Sequence, residues 1–385
     1  MQKIILIMVC SLAIPTHCLA CYWDYDTLAM ERQQFPFAHE LIAGYFLRHS
    51  NTYYQWRIAD RNQKTPAERT PADYDDLAVA YDKLGQHDKA IETIREKIER
   101  WPDERRYESE ANLGTFLFHA GRLEEGLPHI NRAIDINPDA HFGREVYQKL
   151  LVEYLLQQGF PEAELPLSQE EDFGPIGIGS GAMGFAHFVI QAQPDIEELP
   201  YEEVQNEIKK ATKGIMGMMR FGNYRSPVLL EALGDLLLMN GDRTVDAKML
   251  AARAYLKASF EVKEPNASKR YRKMAEQVLE RQMPERLNEF ERDLRQEIEH
   301  AETIFQQIEN DEKTWVEAGR NLDLAYAEKY YDSQPLKISI PIWNNISIGT
   351  RITLMLVFNL LVGVVVLFVS FKLLRKWIRS RSKGA

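Results

Sequence analysis

Residues 77–102, LAVAYDKLGQHDKAIETIREKIERWP, and residues 113–138, LGTFLFHAGRLEEGLPHINRAIDINP, decide the fold, because the second run restates the first at a constant offset of 36 positions. Leu77, Ala78, Tyr81, Gly85, Ala90, Ile94 and Pro102 fall on Leu113, Gly114, Leu117, Gly121, Gly126, Ile130 and Pro138. Each position has a physical reading. Ala78 and Gly114, with Ala90 and Gly126, supply small side chains where two helices cross closely. Gly85 and Gly121 suit a turn that needs positive φ at the end of a first helix. Pro102 and Pro138 stop the second helix. Ala90, Ile94, Lys97 and Ile98 recur at helical spacing, as do Leu127, Ile130, Ala133 and Ile134.

Working outward, this pattern resembles the tetratricopeptide repeat, a helix–turn–helix unit of about 34 residues. Two extra residues fall between the copies, within 103–107. The resemblance covers 71–138, with a weaker extension to about 265: Leu233, Gly234, Leu237 and Gly241 keep the spacing, but the expected alanine is shifted to Ala247. It implies an all-α repeat solenoid, and a concave groove lined by the first helix of each unit. On this chain that groove would carry Asp75, Val79, Asp82 and Lys83 from one unit and Ala111, Thr115, Phe118 and His119 from the next. Two units bury little surface alone, so capping helices are expected, and these can cover the groove. One such cap is predicted around 147–156, where Leu150, Leu151, Tyr154 and Leu155 share a side.

The two ends of the chain predict its topology. Lys3, an apolar run over 4–14, Pro15 and a small Ala20 follow the plan of a cleavable secretory signal. Residues 352–371 contain no charge and, at 1.5 Å per residue, span about 30 Å, enough for one membrane crossing. Lys372, Arg375, Lys376, Arg379, Arg381 and Lys383 follow it with no acid, so the tail is expected in the cytoplasm and the N-terminal bulk in the periplasm or outside the cell.

With Lys3 and the seven basic residues from Arg351 onward set aside, 39 cations face all 57 acids between 21 and 350, a net of −18. Such a charge repels phosphate backbones and favours a basic protein partner over nucleic acid. Cys10 and Cys18 belong to the signal, leaving Cys21 alone in the mature chain, so no internal disulfide or cysteine metal cluster is expected. The preceding Leu19 and Ala20 match a lipidation box imperfectly, leaving open whether Cys21 is lipidated, free or bridged to another chain.

The remaining segments divide by composition. Residues 1–20 read as signal peptide, 21–70 as an aromatic-rich N-terminal segment, 71–158 as repeats with a capping helix, and 159–200 as a Gly-rich joint with a short helix. A second helical repeat region is expected over 201–285. Then Leu287, Phe290, Leu294, Ile298, Ala301, Phe305 and Ile308 predict a long amphipathic helix within 286–333, packed on its own domain or paired in a coiled coil. A tether over 334–350 leads to the membrane helix at 351–373 and a basic tail at 374–385.

Chemical motifs are sparse. Gly179, Gly181 and Gly184 satisfy a dinucleotide fingerprint, but acids at 170–172 precede them in place of a strand, so a flexible joint is expected and no cofactor. No two histidines stand at the spacing that places two ligands on one helix face, so no metal is expected. No catalytic constellation is visible. The expectation is a membrane-anchored, extracytoplasmic protein-interaction adaptor with no enzymatic activity, Phe118 and His119 being the first groove residues to test; the alternatives are a structural subunit of an envelope complex and an exported enzyme, which would bring Glu170, Asp172, Gly179 and His187 into one cleft at the Gly-rich joint. An alkaline phosphatase reporter fused after Ala385 should be inactive and one fused after Glu280 active; activity of the first would reverse the topology.

Overall fold

Thr70 starts the helical array with a reciprocal cap: its hydroxyl accepts from the Asp73 amide at 3.3 Å while the Asp73 carboxylate accepts from the Thr70 amide at 2.8 Å. Pro71 follows at the first helical position, where a missing N–H costs nothing. The structure, a computed structural model, describes residues 37–168, 184–194, 199–239, 245–280 and 287–331. The expected signal peptide, the aromatic run at 21–26, Gly179, Gly181, the tether, the membrane helix and the tail lie outside the described residues. Among the described residues there is no strand, and no helix is long and apolar enough to cross a membrane.

The elements are α1 (Ala38–Ala43), α2 (Asn51–Arg61), α3 (Pro71–Lys83), α4 (His87–Arg100), α5 (Arg106–His119), α6 (Leu123–Ile136), α7 (Arg144–Gln157) and α8 (Gly184–Gln191). They continue with α9 (Tyr201–Met218), a π-helical turn (Met219–Asn223), α10 (Pro227–Met239), α11 (Val245–Glu261), α12 (Pro265–Glu280), α13 (Leu287–Glu317) and α14 (Leu322–Tyr326). Each helix from α2 to α7 packs on its successor, and the same holds from α8 to α12. Helix α7 packs on both α8 and α9, which joins the two series. The long α13 lies along α1, α2 and α11, so within this chain its apolar stripe is covered.

The turn glycines take the conformation that their places demand, Gly85 at φ 73° and Gly121 at φ 76°. Where α5 meets α6, a Cβ on Gly126 would lie 2.5 Å from the Phe118 ring and 2.8 Å from the Gly114 carbonyl oxygen. Backbone approaches backbone here, and only hydrogen fits. Ala78 and Ala90, both fully buried, hold the matching crossing between α3 and α4. The main apolar core runs from α7 through α12 and includes Tyr147, Leu151, Phe185, Leu233, Tyr255 and Met274. A separate aromatic cluster, Tyr53, Trp315, Tyr326 and Tyr330, closes α2 against α13 and α14.

Many acids counted as surface charge are instead interior. Glu312, fully buried on α13, accepts from Ser50 N at 3.0 Å and lies 2.7 Å from Nδ1 of His49. Asp323 accepts from Tyr53 at 2.6 Å and Arg61 at 2.7 Å. These bonds orient α2 between α3 and the α13–α14 end. For the α5–α6 crossing, Gly126→Ala sets a helix-propensity gain of up to about 1 kcal/mol against overpacking of about 1–3 kcal/mol. We expect a net loss, read as a lower melting temperature by circular dichroism; an equal or higher one would show that the crossing yields.

Candidate functional site

A cavity of about 470 Å³ lies where α3 and α5 face α7, the π turn and the 46–54 segment. Its volume is in the range of ligand pockets. Six of the eight residues expected on the groove line it: Val79, Asp82, Lys83, Thr115, Phe118 and His119. The other two do not. Asp75 is fully buried and forms an ion pair at 2.7 Å with Lys97 of α4, while Asn112 of α5 donates to it at 3.3 Å. Ala111 packs with Tyr107, Ala133 and Ala140. Both residues face interfaces between helices of the array, so a groove assignment carried over position by position rotates them too far toward the cavity.

Helix α7 and the π turn close on this surface. Gln148 of α7 donates to Thr115 at 3.1 Å, and Lys83 donates to the carbonyls of Phe221 and of Gly222, the latter at 3.1 Å. The π turn thus comes to rest on the end of α3. The result is a half-open pocket with apolar walls that include Phe46, Phe118, Leu151, Leu155 and Val228.

The charge of the lining runs opposite to that of the chain. Arg48, Lys83, Arg144 and Arg220 stand on the walls, and Asp82 is the acid among the lining residues. Arg220 is 8% exposed, donates to the Leu47 carbonyl at 3.0 Å and lies 4.9 Å from the Phe46 ring. No carboxylate among the described residues ion-pairs with it. Burial pulls its guanidinium down to about 10, the direction expected of a cation removed from water without an acid to meet it. Arg48 lies 4.1 Å from the Phe305 ring and 3.5 Å from Glu302.

At the rim, Asp82 joins two helix pairs. One of its oxygens lies 2.8 Å from Nδ1 of His87, just past the Gly85 turn, and the other 2.8 Å from Nδ1 of His119 at the end of α5. Burial pushes the carboxyl up, but the facing His119 and His87 outweigh it and hold it down to about 2. The hydrogen bond to Asp82 raises His87 in turn. Sequence reasoning missed His87 because it sought ligand pairs on one helix, whereas a turn folds His87 back onto Asp82. Arg220, Arg48 and Arg144 carry no sequence signal of this kind. Helices distant in sequence bring them together.

A second cluster of perturbed groups is wholly internal. Glu231 and Asp235 stand one turn apart on α10, both buried. Tyr271 donates to Glu231 at 2.6 Å and the Ser168 amide does so at 2.7 Å. Tyr255 donates to Asp235 at 2.7 Å, Phe185 N at 3.0 Å and Ser168 Oγ at 3.1 Å. A Cβ on Gly184 would collide with Ser168 and Asp235, so this third glycine of the apparent fingerprint serves packing. His187 lies on α8 and does not line the cavity, and Glu170 and Asp172 lie outside the described residues. Neither carboxylate of the pair lines the cavity, and their donors come from α8, α11 and α12 and the segment before residue 169; this is a structural node. Comparison with models of known families, curated proteins and solved structures returned no match.

Burial, then the neighbouring Glu231 charge, raises Asp235 to about 8, and burial raises Glu231. The folded protein therefore holds protons that the unfolded chain has released, whose carboxyls titrate near 4. This contribution to stability is complete below that value and is lost as pH rises toward about 8. The melting temperature should fall between pH 5 and pH 8.5, and Asp235→Asn, which can still accept from Ser168 and Phe185, should narrow the difference. An unchanged difference in the variant would take the node out of the account.

Proposed function

We propose that this chain is a binding module, a helical-repeat adaptor of tetratricopeptide type that is exported and held at the membrane by residues 352–371. In this reading the α3–α4 and α5–α6 pairs form successive units of a solenoid, and α7, α9 and the π turn cap it. Supporting the assignment are the 36-residue internal repeat, the paired turn glycines and the small-residue crossings. Catalysis forms no part of it.

The observation that carries the binding role is Arg220. A buried cation in an apolar pocket costs stability unless an anion meets it, and such an arrangement recurs where a ligand supplies that anion. Arg48, Arg144 and Lys83 add positive potential around it. The cavity therefore selects an apolar protein segment carrying one acidic side chain or a terminal carboxylate. A basic partner, which the overall charge suggests, would have to engage the acidic exterior elsewhere.

The test is a display library of short peptides screened against the full chain in mild detergent, followed by titration of enriched peptides. Enrichment should centre on an acidic residue flanked by apolar ones. Arg220→Met, close in volume but neutral, should weaken these peptides by roughly 10- to 100-fold, the worth of a charge-assisted hydrogen bond. Phe118→Ala should weaken them as well. Unaltered affinity in both variants would remove the cavity as the binding site.

A further inference from the structure

We propose that Asp82, His87 and His119 form a binding site for one divalent transition-metal ion, with zinc as its expected occupant. A ligand atom from each of the three lies within 4.8 Å of the others, the span one ion can bridge. Two imidazoles and a carboxylate form the donor set that zinc takes at open sites, with bonds of about 2.0–2.2 Å and a fourth position left for water. Calcium and magnesium, which need six or more oxygens, do not fit this set.

Several features favour a site over a simple hydrogen-bonded clip. Both rings already turn Nδ1 toward the same carboxylate, at 2.8 Å each, and their centroids lie 6.0 Å apart. The hydrogen bond to Asp82 is the polar contact each ring makes, so both can shift a few tenths of an ångström without breaking another. Asp82 is buried, with one carboxylate oxygen turned to each ring, so a negative ligand already stands between the two imidazoles. The histidines are about one-third exposed, leaving a path for the ion.

The exchange balances in charge and atoms. Because the carboxylate is ionised, each Nδ1 must carry the proton of its hydrogen bond. When the ion binds through Nδ1, that proton moves to Nε2 of a neutral ring or leaves an imidazolium. Binding should therefore release protons at mildly acid pH, where His87 is charged, and weaken as pH falls. An ion here ties the turn after α3 to the end of α5, at the rim of the cavity.

The experiment uses the full chain without a histidine tag, stripped with chelator, and two probes: Co(II) alone for its visible d–d bands, and Zn(II) alone for calorimetry and thermal melting. One equivalent should bind, with tetrahedral-type bands and a rise in melting temperature that grows with free Zn(II). His87→Asn and His119→Asn place an amide N–H where each Nδ1 stands and can donate to Asp82, but remove the imidazole ligand. Each should fold, retain its metal-free melting temperature and lose both the bands and the zinc-dependent rise, while His187→Ala retains them. Absence of bands in the wild type, or bands that persist in both asparagine variants, would overturn the site. Neither result bears on peptide binding through Arg220, so the two readings fail separately.

Discussion

A carboxylate taken out of water has to be met by donors, and the interior of this protein is organised around that requirement. Asp75, Asp82, Glu110, Glu231, Asp235, Glu312 and Asp323 are all buried, and each is met by donors from another part of the chain: Asp82 by α4 and α5, Asp235 by α8 and α11, Asp323 by α2. Apolar packing supplies most of the driving force but is indifferent to register. Hydrogen bonds to charged groups contribute about 1.5–3 kcal/mol each, and a buried charge stripped of its partner costs about 3–5 kcal/mol. Sliding one helix against its neighbour would strand several acids at once. The acids thus select one arrangement among the many that small-residue helices permit.

This organisation explains which parts of the fold were legible in the sequence. Helices, turns and close crossings rest on local signals: Gly85 and Gly121 at positive φ, and Gly126 pressed against Phe118 and Gly114. Such signals repeat, so an offset of 36 exposes them. The acids were not legible in this way. Asp75 looks like any polar residue on a helix, and only the burial of Lys97 among Ala90, Ile94 and Ile98 hints that a countercharge waits inside. A count of −18 treats every acid as exterior, whereas a good share of that charge is spent within the array. The remaining expectations for the ends of the chain concern residues that the structure does not describe.

The cavity shows the same division. Val79, Asp82, Lys83, Thr115, Phe118 and His119 lie on α3 and α5, within stretches whose sequence recurs at an offset of 36, so their common location was readable from that spacing. The residues that give the pocket its chemistry arrive from outside the repeats: Arg48 before α2, Arg144 at the start of α7, and Arg220 in the π turn. Nothing in the spacing of positions 48, 144 and 220 announces a shared site. Helix α7, the π turn and the segment before α2, which pack over α3 and α5, bring these cations in. The elements that pack over α3 and α5 therefore supply the basic residues of the cavity lining, although the chain as a whole is acidic.

The contact between His49 and Glu312 joins residues 263 positions apart. Loop closure over such a distance is slow to nucleate, because the entropy is surrendered before any bond forms. At about 5–20 residues per second, synthesis delivers Glu312 on the order of 10–50 s after His49. The aromatic face of α2, which ends up against α13 and α14, has to wait through that interval. Its first companions in the finished fold are made last, so the order of assembly runs against the order of synthesis.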